Sequence, residues 1–251
     1  MKDVEIVVLG MHRSGSSVVA SLCCGLGVNM GQEMLVGLND NPFGHFEDVG
    51  FVRLNERILK YLNASWDLPP SIKIKKEDID FFYNETKAIL ENKSGIWGWK
   101  DPRTSILLPF YIEFLKNPYF IVCKRNEDEI ANSLYERERL PLKAGRKLTG
   151  IYEESIQNNL KPFTKDRILE INFDNVKKSP KETAKEIDDF LGLGNTEKSL
   201  ERVASLVKDR KILKAKSDEI LSTKRRHSFF TRFRNYVKKL PKTTGWRYRK
   251  L

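Results

Sequence analysis

Residues 10–17 read GMHRSGSS and are the stretch of this sequence whose residue types point most directly to chemistry. Their spacing is that of a phosphate-binding loop, G-x-x-x-x-G-K-[ST], except that Ser16 stands where the lysine should be. Backbone N–H groups of such a turn, at the start of a helix, point at one spot and carry the positive end of the helix dipole. The stretch therefore predicts an anion-binding site.

The missing lysine argues against a nucleoside triphosphate as the anion that this loop binds. In loops that hydrolyse nucleoside triphosphates, the lysine reaches the β- and γ-phosphates, and a carboxylate at the end of a second strand helps to hold Mg²⁺. Here the strand candidate PYFIVCK runs into cations, Lys124 and Arg125. We therefore expect a ligand with a shorter anionic chain, bound without a metal and neutralised by fixed cations. The available cations are Arg13, Lys100, Arg103 and Arg125.

Short strand candidates alternate with helical sequence along the chain. The strand candidates are 4–9, 96–100, 118–124 and 166–173, and the first is followed by a helix candidate over 16–26. This alternation predicts an α/β fold with a central parallel sheet flanked by helices in three layers. Ligands of such folds bind at the carboxyl ends of the strands, where the loop and three of the four cations lie.

The domain organisation follows from length and pattern. A long irregular segment, GVNMGQEMLVGLNDNPFGHFED, follows the first helix, and such segments in compact domains are usually functional or mobile. Two helix candidates, 48–62 and 75–90, come next and predict a helical flank or insertion over 48–92. The chain has 251 residues, of which 40% are hydrophobic, enough for one good-sized domain. We expect that domain to span 1–223, followed by a tail.

The tail, residues 224–251, carries the net charge of the chain. It holds 11 of the 45 Lys and Arg residues and no acid, so the other 34 balance the 34 Asp and Glu residues of the body. Phe229, Phe233, Tyr236 and Leu240 recur at helical spacing among these cations, which predicts a basic amphipathic C-terminal helix. Three interpretations stay open: docking on the body, contact with an anionic membrane or acidic acceptor, and disorder. The neutral body argues against nucleic-acid binding.

Hydropathy and cysteine usage indicate the cellular compartment in which the protein works. No stretch approaches the apolar length of a membrane span, and the first apolar segment is too short for a signal peptide. We therefore expect a cytoplasmic protein, in which only the tail would reach the inner face of the membrane. The three cysteines, Cys23, Cys24 and Cys123, fit neither a disulfide framework nor the spacing of a metal site.

Four motifs in order carry a resemblance to a known family. GMHRSGSS, NPFGHFED, WGWKDPR followed by LLPFY, and CKRNEDEIANSL resemble the bacterial sulfotransferases that use 3′-phosphoadenosine 5′-phosphosulfate (PAPS), and the resemblance covers residues 4–195. It implies a P-loop-type α/β fold, PAPS as donor, 3′-phosphoadenosine 5′-phosphate (PAP) as product, and no metal. It also assigns the 5′-phosphosulfate to five consecutive residues: Arg13, Ser14, Gly15, Ser16 and Ser17. A donor with one phosphate and one sulfate at that end suits the missing lysine.

The same resemblance assigns a second anion site. Arg125 and Ser133 match the family's 3′-phosphate site, with the arginine at a strand end and the serine further along the next helix. Asn126 is expected to cap that helix. An aromatic that could stack on the adenine is not assigned, because Val18 stands where relatives often have a tryptophan.

Sulfuryl transfer to a hydroxyl needs a base, and cations for the developing charge. Glu47 keeps the family's glutamate position and is the predicted general base; His45, which replaces an aromatic of the family pattern, is the rival, since imidazole titrates near neutral pH. A helix-capping role for Glu47 is the alternative, but helix caps prefer Asp, which indicates Asp48 as the cap.

Lys100 is the predicted electrophilic helper. Arg103 is expected to pair with Asp101 or to touch the donor; His12 either orients the donor or fills space.

The sequence therefore predicts a PAPS-dependent sulfotransferase that acts by metal-free, in-line transfer. The hydroxyl acceptor is expected to be a carbohydrate, as a glycan or a glycolipid. Two other hypotheses stay open at this stage: an atypical P-loop kinase, and a non-catalytic protein that binds a nucleotide or lipid.

Overall fold

The computed structural model describes residues 3–35, 45–71, 73–91, 93–205 and 207. Within them lies a four-stranded sheet in the order β2-β1-β3-β4. Its strands are β1 (Val4–Leu9), β2 (Ile96–Lys100), β3 (Pro118–Lys124) and β4 (Ile168–Asn172). All neighbouring strands are parallel, so their carboxyl ends share one edge. The predicted strands and the parallel sheet are confirmed, whereas the predicted C-terminal helix of 224–251 lies outside the described residues.

Helices surround this sheet, and the three predicted over 16–26, 48–62 and 75–90 begin and end within one residue of those bounds. The helices are α1 (Ser16–Gly25), α2 (Val49–Tyr61), α3 (Lys76–Leu90), α4 (Thr104–Leu107), α5 (Pro109–Ile112), α6 (Glu127–Glu138), α7 (Leu142–Leu160), α8 (Phe173–Lys178) and α9 (Pro180–Leu191). A 3₁₀ turn spans Lys165–Arg167, and residues 197–205 are helical. None of the helices in these described ranges has the length and hydropathy of a membrane span.

The side chains of β1 alternate between two separate hydrophobic cores. Val7 and Leu9 pack with residues of α2, α5, α6 and α7, whereas Ile6 and Val8 pack with residues of α1 and α9. Period-two alternation along a central strand explains this division, since successive side chains leave opposite faces of the sheet. Helices therefore cover both faces, and the three-layer prediction is confirmed.

The strand β2 supplies the largest aromatic side chains of the first core. Trp97 and Trp99 are 3% and 0% exposed and stack with ring centroids 5.8 Å apart. Phe51 of α2 stacks on Trp99 at 4.6 Å. Both tryptophans are therefore core residues, and this packing fixes α2 beside the strand that ends in Lys100.

Candidate active site

The loop between β1 and α1 has the backbone conformation that only glycine tolerates at two points. Gly10 has φ of 153° and Gly15 has φ of 94°. A Cβ on Gly15 would lie 2.2 Å from the ring of Phe173, so the close approach also requires glycine. Gly10 N–H donates to the Ser105 hydroxyl at 3.0 Å, which holds the loop against the start of α4.

The N-terminus of α1 has the features of an anion site. No side chain among the described residues caps this helix, which starts at Ser16 directly after Gly15. Within the same described ranges, the hydroxyl of Ser14 is buried and has no hydrogen-bond partner. A buried hydroxyl without a partner costs stability unless a ligand or water completes it. The uncapped helix dipole and this hydroxyl therefore suit an anion at the loop.

Two guanidinium groups meet beside the loop. Arg13 is held at φ of 71°, a left-handed conformation unusual for a non-glycine residue, and its Nε donates to the hydroxyl of Ser133 at 2.9 Å. Arg125 donates to the backbone oxygen of Arg13 at 2.8 Å and to Glu129 at 2.8 Å. Asn126 caps α6 by accepting from the N–H groups of Asp128 and Glu129, as predicted. The structure thus brings Arg13, Arg125 and Ser133 together, as a shared phosphate site would require.

Glu47 is positioned by the residue that follows it. Asp48 caps α2 by accepting from Gly50 N–H at 2.8 Å, and its second oxygen accepts from Gln32 N–H at 2.8 Å. The backbone oxygen of Glu47 accepts from Leu35 N–H at 2.8 Å. Asp48 is therefore the cap, as the side-chain preferences predicted, and Glu47 is left to face the sheet edge.

Lys100, at the end of β2, supplies the ammonium group that the loop sequence lacks. Its side chain is 1% exposed, and Nζ donates both to the carboxylate of Glu47 and, at 3.2 Å, to the hydroxyl of Ser17. Arg103 lies 3.8 Å from the same carboxylate. The structure thus joins four predicted residues from three chain segments into one cluster at the mouth of the loop.

Comparison with known proteins decides the family. A family model described as "Sulfotransferase family" matches residues 5–197, which is most of the chain. The chain belongs to the sulfotransferase family. The resemblance read from the four motifs is confirmed at this level, and the chain is a sulfotransferase enzyme rather than the kinase of the alternative hypothesis.

Solved structures share the fold of this sulfotransferase. The sulfotransferase domain from the Synechococcus PCC 7002 olefin synthase is 16% identical with a TM-score of 0.51, covering 79% of this chain and 76% of that one. Sulfotransferase STF9 from Mycobacterium avium is 12% identical with a TM-score of 0.52, covering 82% and 68% respectively. Identities this low show the fold alone. A search of curated proteins found no match.

The charges in the sulfotransferase site perturb one another. Burial lowers the pKa of Lys100, and the nearby carboxylate of Glu47 offsets only part of that effect. Burial also acts to lower the pKa of Arg103, but the carboxylates of Asp101, Glu47 and Glu56 outweigh it and the pKa is raised. Arg103 therefore stays a permanent cation, whereas Lys100 is an ammonium that gives up its proton more readily than usual.

His45 and His12, the two histidines with predicted roles, lie in different surroundings. His45 is half-buried, two residues before Glu47. His12 packs against Trp66 with ring centroids 4.6 Å apart and faces Tyr152 at 6.2 Å. Among the described residues, its Nε2 is buried without a hydrogen-bond partner. The ring of His12 thus packs the loop against the segment that joins α2 to α3.

Acidification should expose the cost of burying His12. Burial lowers the pKa of His12 well below 6.5, and the cations Arg103, Lys100, Arg137 and Arg13 lower it further. In acid the unfolded state therefore binds a proton at His12 that the folded state does not bind. This residue's contribution to the free energy of unfolding is present above the pKa that His12 has in the unfolded state, and it is lost as the pH falls below that pKa. Urea unfolding at about pH 7.5 and about pH 5.5 should show a loss larger by about 1 kcal/mol in the wild type than in His12→Gln. Equal losses in the two proteins would contradict this.

Sequence reasoning missed several residues of the site. Phe173 begins α8 directly after β4, packs against Gly15, and has the guanidinium of Arg125 4.8 Å from its ring centroid. Its place at the end of the predicted strand 166–173 was the available signal. Asn55 lies behind the site and donates to Asp101, and the Tyr111 hydroxyl donates to Asn55. Tyr111 stands in the LLPFY motif, which gave it no role, and Asn55 lies in a segment that reads as ordinary amphipathic helix.

The described residues contain no cluster of metal ligands. Across these ranges, no group of three or more His, Cys, Asp and Glu side chains is arranged to hold an ion. The cysteines found there are free thiols, and burial raises the pKa of Cys23 to about 12.

Proposed function

We propose that this sulfotransferase moves the sulfuryl group of PAPS to a hydroxyl acceptor by metal-free, in-line displacement. The observation that carries the proposal is the division of the site into two anion-binding parts on either side of Arg13. One part is the uncapped start of α1, and the other is formed by Arg125 and Ser133. PAPS carries its anionic groups on two separate arms of one adenosine, which this division fits.

The residues present suit the donor. The 5′-phosphosulfate would lie at the loop, against the backbone N–H groups of 15–17 and the hydroxyl of Ser14, which has no partner among the described residues. Arg13 and Arg103 would add positive charge there. The 3′-phosphate would lie between Arg125 and Ser133, where a guanidinium and a hydroxyl can both donate.

The chemistry falls to the cluster of Glu47, Lys100 and Arg103. Glu47 is proposed to take the proton of the acceptor hydroxyl as that oxygen bonds to sulfur and the bond from sulfur to the 5′-phosphate oxygen breaks, releasing PAP. Lys100 and Arg13 would stabilise the charge on the transferring group and the leaving oxygen. Because Lys100 also donates to Ser17 of the loop, an anion bound there competes with Glu47 for the ammonium and frees the carboxylate. His45 is the second candidate for the base.

The acceptor and the setting are proposed from the sequence. A carbohydrate hydroxyl, in a glycan or glycolipid, suits the hydroxyl chemistry, and the basic tail would bring the enzyme to an acidic or lipid-linked acceptor at the inner face of the membrane. In this proposal residues 1–223 form one catalytic domain in the cytoplasm, and 224–251 is an accessory segment.

A thermal-shift comparison tests the donor. PAP should raise the melting temperature at concentrations where ATP with Mg²⁺ does nothing, because binding to the folded state stabilises it by mass action. At a concentration about 100 times the dissociation constant, the stabilisation should be about 2.7 kcal/mol. The reverse preference would indicate a kinase-type site and overturn the proposal.

A further inference from the structure

A buried chain of hydrogen bonds runs from α5 to the charged cluster of the site. The Tyr111 hydroxyl donates to Oδ1 of Asn55 at 2.7 Å, and Nδ2 of Asn55 donates to Asp101 at 2.9 Å and to Thr104 at 3.1 Å. All four residues are 0% exposed. Buried polar groups are expensive unless satisfied, and this chain is satisfied at each of these contacts.

The chain ends on the cation that faces the proposed base. Asp101 accepts from Nε of Arg103 at 2.8 Å and from the backbone N–H of Arg103 at 3.0 Å. The two terminal nitrogens of Arg103 then lie 2.9 Å from Glu56 and 3.8 Å from Glu47. The carboxylate of Asp101 thus sets the plane of the guanidinium from the buried side.

The direction of the Asn55 amide is fixed by its neighbour. Burial raises the pKa of Tyr111 well above its usual value, and the charge of Asp101 raises it further, so the hydroxyl keeps its proton and donates. Because the carboxylate of Asp101 only accepts, the amide nitrogen of Asn55 faces it and the amide oxygen faces the Tyr111 hydroxyl. An apolar residue could fill this space on α2, but it would leave Oδ2 of Asp101 with only the longer hydrogen bond from Nε of Arg103, at 3.1 Å.

We propose that Asn55 is a positioning residue for sulfuryl transfer, which acts through Asp101 and Arg103 to hold the Glu47 carboxylate in place. The inference rests on the proposed function, because it takes Glu47 as the base. The hydrogen bonds of Asn55 go to Tyr111, Asp101 and Thr104, none of which is in the loop, so Asn55 reaches the donor only through Arg103. Its effect should therefore fall on turnover and spare the binding of PAP, which lacks the sulfuryl group.

Two single variants test this, with turnover measured as PAP released from PAPS, using water and a panel of methyl glycosides as acceptors. Asn55→Leu should lower kcat about 10- to 100-fold, as expected when a catalytic group shifts by about 1 Å, with the Kd of PAP changed less than about twofold. Tyr111→Phe, which keeps the ring packing, should lower kcat by about threefold to tenfold. Thr86→Val is the control, a buried hydroxyl with no partner among the described residues, and should leave kcat unchanged.

A double-mutant cycle separates positioning from general support of the fold. In a Glu47→Gln background, Asn55→Leu should lower the remaining kcat by less than about twofold, because its route to turnover is already removed. A residue that merely supports the fold would lower kcat by the same factor in both backgrounds, and that result would overturn the inference.

The outcomes distinguish this inference from the function it rests on. If Glu47→Gln turns over like the wild type, the proposed base is wrong and the role of Asn55 falls with it. If Glu47→Gln is inactive while Asn55→Leu is fully active, only the role of Asn55 falls. Should Asn55→Leu fail to bind PAP, Tyr111→Phe decides, and wild-type kcat in that variant would contradict the proposal.

Discussion

Glu47→Gln should lower kcat by about 10²- to 10⁴-fold, the contribution typical of a positioned general base, while PAP binds as before. The amide keeps the shape of the side chain and can still accept from Lys100, but it cannot take a proton from the acceptor. The measurement is PAP release from PAPS, with the Kd of PAP determined by calorimetry on the same preparation.

The matched control for this change is Glu85→Gln. Glu85 pairs with Arg57 on the exposed surface of the α2–α3 hairpin, so the same substitution there should leave kcat unchanged. A wild-type kcat in Glu47→Gln would exclude Glu47 as the general base and leave His45 as the candidate. An absence of PAP release by the wild-type enzyme with every acceptor tried would instead favour a non-catalytic binding protein.

Arg125→Gln should raise the Kd of PAP about ten- to one-hundred-fold, since a hydrogen bond to a charged group contributes about 1.5–3 kcal/mol. Adenosine 5′-phosphate, which lacks the 3′-phosphate, should bind the variant and the wild type about equally. Calorimetric titration of both nucleotides measures the two effects.

The comparison between nucleotides also controls for damage to the loop. Arg125 donates to the backbone oxygen of Arg13, so the substitution could disturb the 5′ side of the site as well. Weaker binding of both nucleotides would indicate such a disturbance and would contradict the assignment of Arg125 to the 3′-phosphate. Arg57→Gln, at an exposed ion pair, should alter neither Kd.

The sheet could be predicted from the sequence because each strand is short, apolar and bounded by turn or helix signals. The run that became β1 shows the limit of that reasoning, since it contains Glu5, a charged residue that is only 7% exposed. Its carboxylate accepts from the backbone N–H groups of Lys116 and Asn117 at 2.6 and 2.7 Å. A buried charge of this kind depends on a turn more than 100 residues away, which no local pattern reveals.

The candidate site could be predicted in its parts but not in its connections. The loop and Arg125 had local signals, namely glycine spacing and a strand end, whereas Ser133 was indicated by the family resemblance alone. That Arg13 donates to Ser133, or that Lys100 of β2 reaches both Ser17 and Glu47, depends on how separate segments meet at the sheet edge. The missing loop lysine and the cation Lys100 at a strand end could both be seen in the sequence, but not that Lys100 lies within reach of the loop.

The most direct test of the account is a crystal structure of this sulfotransferase with PAP bound. We expect the 5′-phosphate at the N-terminus of α1 and the 3′-phosphate between Arg125 and Ser133, within hydrogen-bonding distance of both. A loop without nucleotide at saturating PAP, or a bound nucleotide from which Arg125 is turned away, would contradict it.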